Sequence, residues 1–95
     1  MFIFARFHAL PGNEKAAETA LREAVTRTRT EPGCVSIHAY RSIRDEKLFY
    51  IYSEWVGEAA FERHAALPAT VAFLDRIGQL IDHPLDPVTR AELMD

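Results

Sequence analysis

The four histidines of this sequence are the side chains best suited to acid–base or metal-binding chemistry. Histidine exchanges a proton near neutral pH and is also the commonest metal ligand. His8, His38, His64 and His83 fall on four different predicted elements, without the spacing of known ligand motifs. The sequence therefore predicts no metal site.

His64 is the best candidate for acid–base work. It lies on a predicted helix a short distance after Trp55, and an indole at that place can stack on a flat substrate while an imidazole moves a proton. The alternative is that Trp55 is a core residue at a strand end and that His64 is a half-buried histidine bonded to the backbone. The residues alone leave both interpretations open.

The single cysteine, Cys34, excludes an internal disulfide, which is typical of a reducing cytoplasm. Catalysis by its thiol is conceivable. Its place at the start of a predicted strand favours a small buried residue instead. His8, at the end of a predicted strand, and His83, in a predicted turn, are expected to face solvent.

The composition excludes several classes of function. The net charge of −3 does not suit a nucleic-acid partner. No apolar run approaches the roughly 20 residues of a membrane helix, and the opening MFIFARFHAL does not read as a secretory signal. We therefore expect a cytoplasmic protein without a membrane partner. Because no dinucleotide fingerprint, P-loop or nucleophile elbow occurs, cofactor-independent chemistry or simple binding remains.

Hydrophobic periodicity predicts one α+β domain over residues 1–95. Pro-Gly pairs and Pro68 mark the breaks between elements, and Asn13 is expected to cap the first helix. The predicted strands cover Phe2–Leu10, Cys34–Ile43, Leu48–Trp55 and Val88–Met94, and the predicted helices cover Glu14–Thr30, Gly57–Ala66 and Ala69–Ile81.

This βαββαβ order favours a ferredoxin-like fold, an antiparallel sheet with its helices on one face. Alternation assigns one set of strand residues to the helices: Ile3, Ala5, Phe7, Val35, Ile37, Ala39, Phe49, Ile51, Ser53 and Trp55. The opposite set mixes aromatic and polar side chains: Phe4, Arg6, His8, His38, Tyr40, Leu48, Tyr50, Tyr52 and Glu54. Because monomers rarely expose such a surface, we expect a homodimer through the open sheet face, with Arg6 and Glu54 as a candidate ion pair.

Four short motifs in this order resemble the antibiotic biosynthesis monooxygenase family, and the resemblance covers nearly the whole chain. They are Pro11-Gly12, Glu31-Pro32-Gly33-Cys34, Ser53-Glu54-Trp55 and Phe61-Glu62-Arg63-His64. The resemblance implies a dimeric α+β barrel with a pocket between sheet and helices in each subunit. It also implies, for some members, oxygenation of anthrones or quinols without metal or flavin.

The resemblance implies roles for individual residues. Trp55 is expected to be a stacking wall, and Ile51, Phe61 and Phe73 an apolar lining for the substrate. Ile51 and Phe61 stand where anthrone oxygenases carry an asparagine and a tyrosine. His64 is expected to be the base or a hydrogen-bond partner. Haem cleavage is not expected, because the axial histidine of the haem-degrading members has no counterpart here.

We therefore expect a cofactor-independent monooxygenase that acts on a small aromatic or quinol-like molecule. One alternative is an isomerase or other enzyme of a small signalling metabolite. The other is a non-catalytic dimer that binds a small molecule or serves in a stress response.

Overall fold

A computed structural model describes all residues, 1–95, as an antiparallel sheet with helices on one face. The elements are β1 (Phe2–His8), α1 (Glu14–Thr28), β2 (Cys34–Arg41), β3 (Leu48–Trp55), α2 (Glu58–Ala66), α3 (Pro68–Gly78) and β4 (Thr89–Ala91). The strand order is β2-β3-β1-β4, with every pairing antiparallel. This arrangement confirms the predicted ferredoxin-like α+β fold.

The predicted interruption at Pro68 is confirmed. Leu67 is extended, as the residue before a proline usually is, so α2 ends there. Pro68 then occupies the first turn of α3, where its missing N–H is no loss. The final strand is shorter than predicted, because Thr89–Ala91 pairs only with residues 2–4 of β1.

Two clusters of buried side chains fix the helices to the sheet. Small alanines of α1 pack with Phe7 of β1 and Phe49 of β3. Burial of each larger side chain, such as Leu21 or Ile77, contributes roughly 1.5–3 kcal/mol. The larger cluster comprises Phe7, Ala9, Ala17, Ala20, Leu21, Phe49, Ile77 and Ile81. The smaller cluster, which attaches α2, comprises Ile3, Trp55, Ala60 and Phe61.

The expectation that Val35 faces the helices is wrong, because β2 begins with a bulge. Cys34 pairs with Trp55, but the next pair along the strands is Ser36 with Glu54. Val35 is therefore the extra residue and is 54% exposed. Cys34 takes the place on the core side and packs against the smaller cluster.

Gly33 permits a close approach between the start of β2 and α2. Its φ is +86°, and a Cβ built there would lie 2.5 Å from the Cβ of Ala60. Gly12, in the turn before α1, has φ +92° but open space around it. The predicted cap by Asn13 is wrong, since its side chain makes no capping bond. Glu14 instead accepts a hydrogen bond from the Gly12 N–H at 2.7 Å.

The open face of the sheet carries large apolar side chains without cover from this chain. Phe4, Tyr40 and Tyr50 are each 40–50% exposed, and the Phe4 and Tyr52 rings pack edge to face, 4.9 Å apart. Arg6 and Glu54 do not form the ion pair considered above within the chain, because Arg6 lies opposite Tyr50 and Glu54 lies opposite Phe2. No helix has the length and hydropathy needed to cross a bilayer.

Substitution of the two glycines by alanine separates backbone strain from steric overlap. We expect Gly12→Ala to lower the free energy of unfolding by about 1–3 kcal/mol, because only the positive φ is strained. Gly33→Ala should lower the free energy of unfolding by roughly 1–3 kcal/mol more than Gly12→Ala does, because its methyl group also overlaps Ala60. Urea denaturation of both variants measures the difference, and equal losses would contradict the close approach of α2.

Candidate functional site

A cavity of about 250 Å³ lies between the sheet and the helices. Members of both buried clusters, such as Phe7 and Phe61, line it. Its volume is just below the roughly 300–1,000 Å³ of sites for drug-sized ligands, so it suits a small ligand. The complete lining is Ile3, Ala5, Phe7, Ala24, Arg27, Thr28, Ile37, Ile51, Ser53, Phe61, His64, Ala65, Thr70, Phe73, Leu74, Val88 and Arg90.

Four of the five predicted site residues line this cavity. Ile51 reaches it from β3, Phe61 and His64 from α2, and Phe73 from α3. Phe61 and His64 are three residues apart, so they share one face of α2. The wall is mostly hydrophobic, with 11 hydrophobic residues among the 17 that line it.

His64 is held by a carboxylate that the sequence did not identify. Its Nδ1 lies 2.8 Å from Oε1 of Glu31, and the two side chains are only 15% and 14% exposed. Because a carboxylate accepts hydrogen bonds, Nδ1 is the donor in this contact. Thr70 Oγ1 lies 3.5 Å from the same Nδ1. His64 is therefore oriented by side chains rather than bonded to the backbone.

Trp55 lies behind the cavity wall rather than in it. It is 1% exposed, and its Nε1 donates a hydrogen bond to Ser53 Oγ at 3.0 Å. Its ring centroid is 4.8 Å from that of His64 and 5.7 Å from that of Phe61. The indole thus supports the two rings that line the cavity.

Two arginines at the cavity were missed by sequence analysis. Arg90 comes from β4, and its guanidinium lies 5.2 Å from the Phe61 ring centroid. It pairs with Glu62 and Glu58 at 2.5 and 3.1 Å, and the hydrogen bond to Glu62 raises the pKa of Arg90. Arg27, in the last turn of α1, has no carboxylate partner within ion-pair distance.

The remaining candidates lie outside the cavity. Burial raises the pKa of the Cys34 thiol, which favours the thiol form over the nucleophilic thiolate and supports a packing role. His38 bonds to Arg29, and Tyr40 lies on the open face. No group of three or more His, Cys, Asp or Glu side chains is placed to hold a metal ion.

His8 is not the solvent-facing residue that its position suggested. Its Nδ1 lies 2.6 Å from Asp82 and its Nε2 lies 2.8 Å from Asp45, while its backbone N–H donates to Nε2 of His83 at 3.0 Å. Since both ring nitrogens face carboxylates, the folded chain favours the imidazolium. The hydrogen bonds to Asp45 and then Asp82 raise the pKa of His8.

The sequence profile of the family described as Antibiotic biosynthesis monooxygenase matches residues 1–76 of this chain. A Mycobacterium tuberculosis protein named "Putative monooxygenase Rv0793" is 26% identical over 91 residues, which are 96% of this chain and 89% of the relative. Its solved structure superposes with a TM-score of 0.88 over 99% of this chain and 95% of that one.

A second solved structure, PA3566 from Pseudomonas aeruginosa, is 31% identical to this chain. The match covers 93% of this chain and 85% of that one, with a TM-score of 0.78. An antibiotic biosynthesis monooxygenase structure at 22% identity, with a TM-score of 0.85 over 97% of this chain and 98% of that one, shares the fold.

The His8 contacts should make stability fall as the pH rises above neutrality. The pKa of His8 is higher in the folded chain than in the unfolded chain. Its contribution to the free energy of unfolding is therefore complete below about pH 6.5, the ordinary histidine pKa. That contribution is lost as the pH rises through the raised pKa of the folded chain. His8→Gln should remove this fall of stability with rising pH. Thermal denaturation between about pH 6 and pH 9 measures it.

His38→Gln is the matched control, because this histidine contacts Arg29 rather than a carboxylate. It should keep the wild-type slope. A slope that persists unchanged in His8→Gln would show that another group causes it.

Proposed function

Since this chain belongs to the antibiotic biosynthesis monooxygenase family, we propose that it oxygenates a small aromatic or quinol-like substrate without metal or flavin. The observation that carries the proposal is an oriented base on an apolar cavity. The Glu31 carboxylate fixes the imidazole of His64 at 2.8 Å, and hydrophobic side chains form most of the remaining wall.

The first proposed step is removal of a proton from the substrate. His64 Nε2 accepts the proton of a phenol or enol, and the imidazolium that forms is stabilised by Glu31. Exclusion of water by the apolar wall strengthens this ion pair, because charges attract more strongly at low dielectric. The product of the step is an electron-rich aromatic anion in the cavity.

The anion supplies the electrons for the oxygen chemistry. It passes one electron to dioxygen, and the superoxide and substrate radical combine to form a carbon–oxygen bond. The peroxide O–O bond then breaks, and protons from the imidazolium and the substrate carbon leave with the departing oxygen as water. A CH2 carbon thus becomes a carbonyl with one oxygen atom from O2, and the other oxygen atom enters water.

Oxygen uptake with a panel of anthrones, hydroquinones and catechols tests this proposal in the presence of a metal chelator. We expect chelator-resistant uptake whose kcat/KM falls roughly 10²-fold or more in His64→Ala, since the general base is lost. Glu31→Gln should cause a smaller fall, because the base remains but the imidazolium loses its carboxylate partner, and Glu31→Asp should restore part of it.

Arg63→Gln is the control, because Arg63 is an exposed neighbour on α2 that does not line the cavity. It should retain wild-type uptake. Product formed without oxygen uptake would contradict oxygenation and favour the isomerase alternative. Absence of any turnover across the panel would favour the binding alternative.

The proposed enzyme is a homodimer through the open sheet face. The support for a dimer is the apolar surface around Tyr50. This residue lies in the middle of three strands, opposite Arg6 on β1 and Tyr40 on β2. A shallow depression there is lined entirely by apolar or aromatic residues: Phe4, Ala5, Tyr40, Tyr50, Ile51 and Tyr52. A second copy would cover this surface with an identical one, which is the usual symmetry of protein dimers.

Sedimentation velocity tests the dimer. The wild-type chain should sediment at twice its mass of 10.8 kDa. Tyr50→Lys should sediment as a monomer, because each copy would bury an unpaired charge in the proposed interface. Ile43→Lys is the control, since Ile43 is fully exposed in the loop before β3. A monomeric wild-type chain at micromolar concentration would overturn the assignment.

A further inference from the structure

The cavity is lined by basic side chains and by no acidic ones. None of its residues is Asp or Glu, and its ionisable side chains are Arg27, His64 and Arg90. The whole chain, in contrast, has a net charge of −3. Whether these groups attract an anionic ligand depends on which of them lack a carboxylate partner within the chain.

Two of these three groups already have carboxylate partners. His64 is held by Glu31, and Arg90 is held by Glu58 and Glu62. Only Arg27 has none. The acidic residue one turn before it on α1, Glu23, pairs with Arg76 at 2.9 Å instead.

The Arg27 side chain is exposed at the edge of the cavity and contacts the start of α3. Its one hydrogen bond is to the backbone carbonyl of Ala69, at 3.4 Å. The next residue, Thr70, contacts His64. The first turn of α3 therefore places Arg27 and His64 on the same part of the wall, with most guanidinium donors unused.

We propose that Arg27 recognises a carboxylate on the substrate, so that the cavity selects small aromatic acids over neutral aromatics of the same shape. Arginine binds a carboxylate through two parallel hydrogen bonds, which are stronger and more directional than those between neutral groups. The aromatic part lies against Ile51, Phe61 and Phe73. This inference rests on the proposed function in one respect: the substrate of the proposed oxygenase occupies the cavity that Arg27 lines.

Calorimetric titration with two stable probes tests the inference without any oxygen chemistry. The probes are 2-naphthoate and the neutral 2-naphthalenemethanol. Wild type should bind 2-naphthoate roughly tenfold or more tightly than the alcohol. Arg27→Gln should lose that preference while it keeps its affinity for the alcohol, and Arg27→Lys should retain part of it.

Arg22→Gln is the matched control on the same helix. Arg22 pairs with Glu18 and lies outside the cavity, so this variant should keep the preference for 2-naphthoate. Equal binding of the two probes by wild type, or a preference that persists in Arg27→Gln, would overturn the inference. Failure of both probes to bind at millimolar concentrations would overturn it too.

Oxygen uptake with a hydroxynaphthoate distinguishes this inference from the proposed function. Arg27→Gln should raise KM with little change in kcat, because the carboxylate contact is present in both ground state and transition state. Uptake that is indifferent to Arg27 would sustain the oxygenase and overturn the inference. Arg27-dependent binding without uptake would sustain the inference and overturn the oxygenase.

Discussion

The organisation of this chain depends on the burial of a single face of its sheet. Side chains alternate across a strand, so each strand has one set against the helices and one set away from them. The helices cover the set that contains Phe7 and Phe49, and they leave Tyr40 and Tyr50 uncovered. The covered face encloses the cavity, and the open face is the surface on which we place the second subunit.

The contact between Glu31 and His64 forms where the α1–β2 connection meets α2. Gly33 has no side chain and a left-handed φ, which lets α2 approach within van der Waals distance of the connection. Glu31 in that connection then reaches His64. The same approach buries Trp55 behind the imidazole. A backbone constraint thus helps to orient the His64 imidazole.

Sequence reasoning succeeded where the relevant signal is local. The alternation of Leu48–Trp55 and the Pro-Gly breaks predict the strands and turns that the structure shows. Ile51, Phe61, His64 and Phe73 line the cavity, and their roles toward a substrate stay predictions. Sequence reasoning failed at Val35, because a bulge adds a residue to one strand and reverses the alternation. Nothing in the sequence of one strand specifies the pairing that creates the bulge.

The sequence by itself determined the element order and the helix-facing side of most of the sheet, because these follow from hydrophobic period. It also indicated His64 as a candidate base, because of the chemistry of its side chain. Only the tertiary structure decided which side chains contact the histidines. Glu31 lies 33 residues from His64 along the chain, and Asp82 lies 74 residues from His8. Such contacts depend on how distant segments pack, so neither spacing nor propensity encodes them locally.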